Sequence, residues 1–420
     1  MSQEGYNEEG FDTRIINNRF AKPDVHGAIG MPVYRNAAFE FPSAESIAAA
    51  FQYQEDSPSH TYTRITNPTV ENLEQKIKTA SGAQQVQALA SGMAAITNTF
   101  MCLASAGANI VTSPHLFGNT FSFLKFTLAE FGVETRFVDT NNPEAVAAAT
   151  DDNTCAFFCE LITNPHMEIA DLEAIAKIMH IRRIPVVVDT TVIPWCGFDA
   201  AKWGVDIEVV STTKYVSGGA TSIGGAILDY GTFDWSAHRR LGKVKPTAGM
   251  SAFSFKLKRE ITRNMGAAID PEAASLQALG METLKLRFEQ ASQSAYELAS
   301  FLGQQSRVTK VNYTKLDSSP YKALSDKFVT GNPGAMLTFN LESKAACYRF
   351  IDELQVIRRA TNLFDNKSLI IHPESTIYGT FSPEMKAVMG IEDSLLRLSV
   401  GLEDVGDLKA DIVRALLSLG

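Results

Sequence analysis

The sequence predicts an α/β fold: a large domain built on a mostly parallel sheet, followed by a smaller α+β domain. Three observations lead there. Between about residues 70 and 230, short apolar runs rich in β-branched and aromatic residues alternate with stretches of helical periodicity. Strands separated by helices imply right-handed crossovers and a sheet covered on both faces. After about Gly266 the texture changes to a long helical stretch followed by further short runs. The third is composition: 45% hydrophobic and 20% charged over 420 residues, an ordinary globular chain long enough for two or three domains.

Up to about Asn67 the chain is rich in Asn, Pro, Gly and aromatics and reads as an extended, irregular arm. VENLEQKIKTASG (Val70 to Gly82) then reads as a helix closed by a glycine. ANIVTS, VETRFVDT and TCAFFCELI are candidate strands. In DLEAIAKIMHIRR, Leu172, Ile175 and Met179 share one helical face behind Asp171, a good N-cap. PVVVDTT and IEVVSTTKY follow as strands. The stretch PEAASLQALGMETLKLRFEQASQSAYELASFLGQQ reads as one long helical segment, leading into AMLTFNL, YRFIDEL and LLRLSVGL. The expected division is an arm over 1–66, a large domain over 67–266 and a C-terminal domain over 267–420.

The net charge of −9 and the lack of any Lys/Arg-rich run argue against a nucleic-acid partner, because phosphate binding needs clustered cations. The opening MSQEGYNEEGFDTR is acidic and polar, so no secretory signal is expected. No run approaches the roughly 18 apolar residues of a membrane span. Five cysteines, an odd and scattered set, point to a reducing cytoplasm rather than a disulfide framework. Cys155 and Cys159 lie in an apolar run and are expected to pack; no metal site is expected.

In a doubly wound sheet, ligands bind beyond the carboxyl ends of the strands. The run Val186 to Val188 ends in Asp189-Thr190-Thr191, Ile207 to Val210 in Ser211-Thr212-Thr213-Lys214, and Phe157 to Ile162 in Thr163-Asn164-Pro165. These ends gather an acid, hydroxyls, an amide and a lysine. Pyridoxal phosphate (PLP) needs such a set: a carboxylate for its pyridine nitrogen, a lightly solvated lysine, and hydroxyls with backbone N–H groups for its phosphate. Ala90-Ser91-Gly92-Met93 opening into a helix supplies the last. Single residues after strands are ordinarily solvated loop residues, so the pattern alone leaves both readings open. Competing sites fare worse. GGATSIGG (Gly218 to Gly225) lacks the nicotinamide-binding spacing, and Gly225 stands where a P-loop needs its lysine. There is no HExxH segment, and a non-catalytic binding module would leave the polar strand ends unexplained.

With these residues in place, the sequence resembles the Cys/Met-metabolism family of PLP enzymes from about Val33 to its end. The resemblance is carried by YTRITNPT (Tyr62 to Thr69), ASGMAAI (Ala90 to Ile96), ELITNP (Glu160 to Pro165), VVVDTT (Val186 to Thr191), STTKY (Ser211 to Tyr215) and LRLSVGLED (Leu396 to Asp404). It implies a PLP-dependent transferase fold of type I, usually in a homotetramer whose dimers share active sites. It further implies Lys214 as the Schiff-base lysine, Asp189 on the pyridine nitrogen with Thr191 beside it, and Ser211, Thr213, Gly92 and Met93 on the phosphate. Tyr62 and Arg64 would reach the neighbouring subunit's phosphate, Asn164 the ring hydroxyl, and Arg397 the substrate carboxylate, with Asn362 also lining the substrate site.

Within the family, TSIGGAILDYGTFDW (Thr221 to Trp235) and NLFDNKSLIIHPEST (Asn362 to Thr376) look most like O-acetylhomoserine sulfhydrylases. The implied reaction is γ-replacement by sulfide or a thiol, giving homocysteine or methionine; the alternative is a γ-lyase of the same family. Four positions depart from the pattern. Phe117 stands where a ring-stacking tyrosine is usual, so the acid role at the leaving group is expected to fall to Tyr62 or Lys214. Asn119 stands where methionine γ-lyases carry cysteine. Phe364 replaces a glycine and Tyr378 a histidine, both in the substrate-facing region, so leaving-group and thiol specificity stay open. His60, His115, Trp195 and Trp203 are expected to be scaffold, and GKVKP (Gly242 to Pro246) a solvated loop or lid.

Overall fold

The computed structural model describes residues 9–20, 24–52, 60–247 and 249–419. Residues 1–8, 21–23 and 53–59, part of the expected arm, lie outside them. Seven strands form one sheet: β1 (Gln85–Leu89), β2 (Asn109–Thr112), β3 (Glu134–Phe137), β4 (Thr154–Glu160), β5 (Val186–Asp189), β6 (Ile207–Val210) and β7 (Gly225–Asp229). Their order is β1-β7-β6-β5-β4-β2-β3. β7 runs against β1 and β6, while the remaining pairings are parallel. Each parallel step is a crossover, and the intervening segments build a core on each face. Phe157 and Cys159 of β4 enter one core with Leu73 and Ile77 of the helix Pro68–Ser81. Cys155, Ala156 and Phe158 face the other with Ile96 and Phe100 of the helix Gly92–Leu103. A strand buried on both faces has no room for polar alternation, which is why TCAFFCE reads as a nearly continuous apolar run. Cys155 and Cys159 are packing residues.

The second sheet is smaller: β8 (Lys310–Asn312), β9 (Met336–Asn340), β10 (Arg358–Arg359), β11 (Leu369–Ile371) and β12 (Leu395–Ser399), in the order β10-β11-β12-β9-β8. It is antiparallel apart from β10 with β11. Leu337, Phe339, Leu396 and Leu398 join the first core together with Leu298 of the helix Leu284–Leu302.

Local signals place the helices well. Gly82 closes Pro68–Ser81 at φ 74°, and Asp171 accepts from the Ala174 N–H at the start of Leu172–Ile181. YRFIDEL lies in the helix Lys344–Glu353. Two expectations change. The long helical stretch is two helices, Pro271–Met281 and Leu284–Leu302. At the break the Gly280 carbonyl accepts both the Thr283 N–H at 3.4 Å and the buried Arg287 guanidinium at 2.6 Å, and Arg287 also donates to the Tyr215 carbonyl at 2.8 Å. The arm is not wholly irregular either: Ala44–Phe51 is a helix begun by a reciprocal Ser43–Ser46 capping box, and Phe11–Ile16 is another.

β7 runs against β1, so its first residue Gly225 meets Leu89 at the carboxyl end of β1. A Cβ there would fall 2.1 Å from the Ser91 carbonyl oxygen and 2.8 Å from the Gly92 nitrogen. The obstacle is backbone, which cannot rotate away. Gly225→Ala is therefore expected to destabilise the protein by about 2 kcal/mol through overpacking. Calorimetry checks this; an unchanged unfolding midpoint would mean that β7 shifts freely.

Candidate active site

β6, β5 and β4 are neighbours, and their carboxyl ends present the expected polar residues together. Asp189 ends β5, and its carboxylate accepts the Thr191 N–H at 2.9 Å. Thr191 Oγ1 in turn accepts the Ser211 N–H at 2.9 Å, tying the ends of β5 and β6. Burial raises the Asp189 pKa, against the hydrogen bonds of Thr191 and the nearby Lys214 ammonium. At the end of β1, Ser91 caps the helix Gly92–Leu103 by accepting the Ala94 N–H at 3.0 Å. The first amides of that helix, on Gly92 and Met93, have no intrahelical acceptor and lie at the positive end of its dipole. A Cβ at Gly92 would stand 2.7 Å from Ser211 Cβ, so only glycine lets this helix end close on the Ser211 turn. Thr213 is less open than expected: its hydroxyl accepts the Gly224 N–H at 3.0 Å and lies 3.2 Å from the Gly224 carbonyl.

Lys214 Nζ donates to Asn362 Oδ1 at 2.7 Å. Burial, and then the charge of Arg397, lower its pKa from 10.5 to about 8, with Asp189 pulling the other way. Arg397, on β12, is 2% exposed. Nη1 donates to Asn164 Oδ1 at 3.2 Å and Nη2 to the Thr361 carbonyl at 2.9 Å, while the buried Nε meets no acceptor. Burial lowers its pKa to about 10. Among the described residues its bonds go to neutral oxygens, and no carboxylate balances it.

Phe117 and Asn164 come from separate loops, yet both backbone N–H groups donate to Glu160, at 2.6 and 3.1 Å. Burial, and then Asp189, raise the Glu160 pKa to about 8. Sequence reasoning gave Glu160 no role. The signal was present: an acid at the carboxyl end of an apolar strand, as at Asp189.

Tyr378 lies beside the site but is fully buried, its hydroxyl 3.0 Å from the Asn164 carbonyl oxygen and 3.2 Å from that of Leu116. Phe364 is buried as well, at φ 56°, stacked on Tyr215 with centroids 4.4 Å apart. Tyr62 and Arg64 stand apart from the cluster within one chain. Tyr62 is exposed and bridges to Ala38, and the exposed Arg64 donates to the Arg263 carbonyl at 2.5 Å. Asn119 is exposed at the start of the helix Gly118–Ser122.

The scaffold residues are engaged. His115 Nδ1 pairs with Glu168 Oε2 at 2.7 Å and its ring stacks on His166. His60 lies 3.6 Å from Glu71. Trp195 Nε1 donates to Glu208 at 3.0 Å, and Trp203 packs edge-on to Phe328. The 242–246 segment is a mostly exposed loop.

A lysine amine lowered toward neutrality, a buried carboxylate beside it, open amides at a helix start and an unbalanced guanidinium make up a site for a small anionic ligand carrying a carbonyl. The fit to PLP rests on the Gly92 approach and on the donor set, with the spare Arg397 Nε left for a second anion. This is the class of site found in PLP enzymes of α/β architecture.

The chain belongs to the family described as Cys/Met metabolism PLP-dependent enzyme, whose model matches residues 12–417. It is 38% identical over 401 residues to O-acetyl-L-homoserine sulfhydrylase 1 of Thermus thermophilus, covering 92% of this chain and 94% of that protein. It is 36% identical over 409 residues to an L-methionine gamma-lyase of Pseudomonas putida, covering 97% of each. Among solved structures, an O-acetylhomoserine (thiol)-lyase of Campylobacter jejuni superposes with a TM-score of 0.91 at 33% identity, over 97% of this chain and all of that one. That structure carries a pyridoxyl-lysine monophosphate.

The Lys214 pKa gives a signed prediction. Only the neutral amine attacks a carbonyl, and for Lys214 it dominates above about 8 rather than above 10.5. The rate at which cofactor-free protein captures PLP should rise steeply between about pH 7 and 9 and then level off. Stopped-flow absorbance checks this; a rate still climbing tenfold per pH unit at pH 10 would contradict it.

Proposed function

We propose that the protein catalyses PLP-dependent γ-replacement on O-acetyl-L-homoserine. Acetate leaves Cγ as its C–O bond breaks, sulfide or a thiol forms the new C–S bond, and the product is homocysteine or methionine. The observation that carries this reading is Arg397. A buried guanidinium with no acidic partner among the described residues and a free Nε is costly unless the ligand brings a carboxylate, and an α-amino acid brings one. The sulfhydrylase relatives support the choice of reaction.

When bound, PLP supplies an electron sink that acidifies the protons on the substrate's Cα and Cβ. The residues do the rest. Lys214 would hold the cofactor, and its amine would carry protons at the substrate's Cα and Cβ. Asp189, oriented by Thr191, holds the pyridine N–H. Gly92 and Met93 amides, with Ser211 and Thr213, would hold the phosphate, and Phe117 and Asn164 would hold the ring. Arg397 would fork onto the substrate carboxylate, with Asn362 beside the Lys214 amine. Tyr62 and Arg64 complete the neighbouring copy's site, so the working form is a dimer at least, within a homotetramer of such dimers in the cytoplasm. The arm over 1–66, large domain over 67–266 and C-terminal domain over 267–420 are the units of that assembly.

Two variant sets test the reading by steady-state assay of homocysteine formed from O-acetylhomoserine and sulfide. Arg397→Leu should raise KM on the order of 10–100-fold, the worth of one or two charge-assisted hydrogen bonds; an unchanged KM would remove Arg397 from the substrate. Because Phe117 has no hydroxyl, the acid at the leaving group is Tyr62 or Lys214. Tyr62→Phe should then lower kcat by about tenfold or more, in the range of general acid catalysis, while Phe117→Tyr changes it little. The reverse pattern would assign the proton elsewhere. Release of 2-oxobutyrate without any thiol would place the protein with the lyases.

A further inference from the structure

Phe117 and Asn164 arrive on loops from different strands, and the structure grips both loops from two sides. From the sheet, one oxygen of Glu160 accepts the Phe117 N–H at 2.6 Å and the other accepts the Asn164 N–H at 3.1 Å. From the C-terminal segment, the Tyr378 hydroxyl sits 3.2 Å from the Leu116 carbonyl oxygen and 3.0 Å from that of Asn164. The Asn164 side chain then meets Arg397 Nη1 at 3.2 Å. Both gripping groups are buried, Glu160 at 7% exposure and Tyr378 at 0%. Burying a carboxylate next to Asp189 is unfavourable for stability alone, and both polar groups are spent on the same pair of loops.

We infer that Glu160 and Tyr378 are paired positioning residues that, through Phe117 and Asn164, set where the amino-acid carboxylate held by Arg397 lies relative to Lys214. This rests on the proposed function for what is bound, and on the two contact sets for how it is held. Glu160 needs both oxygens as acceptors, one per loop. An amide at this position offers one acceptor and turns an N–H donor toward the other loop. Tyr378 works from the opposite face, where its phenol meets carbonyls; removing the hydroxyl leaves the ring to fill the core.

The test uses the full-length holoprotein with Glu160→Gln and Tyr378→Phe. Hydrogen exchange at the Phe117 and Asn164 amides should quicken in Glu160→Gln. The circular dichroism of bound PLP should change in Glu160→Gln as the Phe117 ring moves. Tyr378→Phe should raise KM for O-acetylhomoserine about fivefold with little change in kcat, the effect of one neutral hydrogen bond acting on substrate placement. The combined variant should lose less than the product of the two single losses, because both act through Asn164. Wild-type exchange and dichroism in Glu160→Gln would overturn the inference whether or not O-acetylhomoserine is turned over. So would a lowered unfolding midpoint with exchange, dichroism and KM at wild-type values, which is the mark of a merely structural role. A wild-type protein that ignores O-acetylhomoserine while these amides still respond to Glu160→Gln would instead refute the proposed activity.

Discussion

A guanidinium buried without an anion is the constraint on which this site depends. Arg397 sits on the central part of a small-domain sheet, 2% exposed, and among the described residues it is bonded only to the Asn164 amide oxygen and the Thr361 carbonyl. Neutral acceptors recover part of the lost hydration, not the charge. The positive potential left over acts on its surroundings. Burial is the larger cause of the lowered Lys214 pKa, about 8, and the Arg397 charge adds to it, so that the neutral amine is within reach as nucleophile and proton carrier. The unbalanced charge thus assists the lysine and reserves a place for a carboxylate.

The opposite charge is managed on the large sheet. Asp189 and Glu160 end adjacent parallel strands and are register neighbours, so two buried carboxylates lie close together. Each is given backbone N–H donors: Thr191 for Asp189, and Phe117 with Asn164 for Glu160. Those bonds answer desolvation locally and also fix the loops that line the site. The same hydrogen bonds therefore serve both the electrostatics and the loop geometry of the site.

Much of this was legible in the sequence. Apolar runs ending in Asp189-Thr190-Thr191 and Ser211-Thr212-Thr213-Lys214 locate the strand ends, because a strand buried on both faces ends where polarity resumes. The helix at Gly92 follows from its glycine and the Ser91 cap. What could not be read came from contacts distant in sequence. The partition of residues 271–302 into two helices goes with Arg287 reaching the Gly280 and Tyr215 carbonyls. Tyr378 and Phe364 look like pocket residues by position, yet one is buried between two loops and the other against Tyr215. Glu160 was hidden by its own strand, since an acid within an apolar run passes for an interruption. The helix Ala44–Phe51 had a local signal in Ser43 and Ser46, outweighed by the Asn- and Pro-rich chain around it.

Lys214 is the residue on which uptake of PLP in this pocket depends. The most direct measurement is the absorbance spectrum of purified protein reconstituted with PLP, for wild type and Lys214→Ala, before and after O-acetylhomoserine is added. The account predicts a visible cofactor band in the wild type that shifts with the amino acid, and no such band in Lys214→Ala. A wild-type protein that shows no bound chromophore, or a Lys214→Ala protein with an unaltered band, would contradict it.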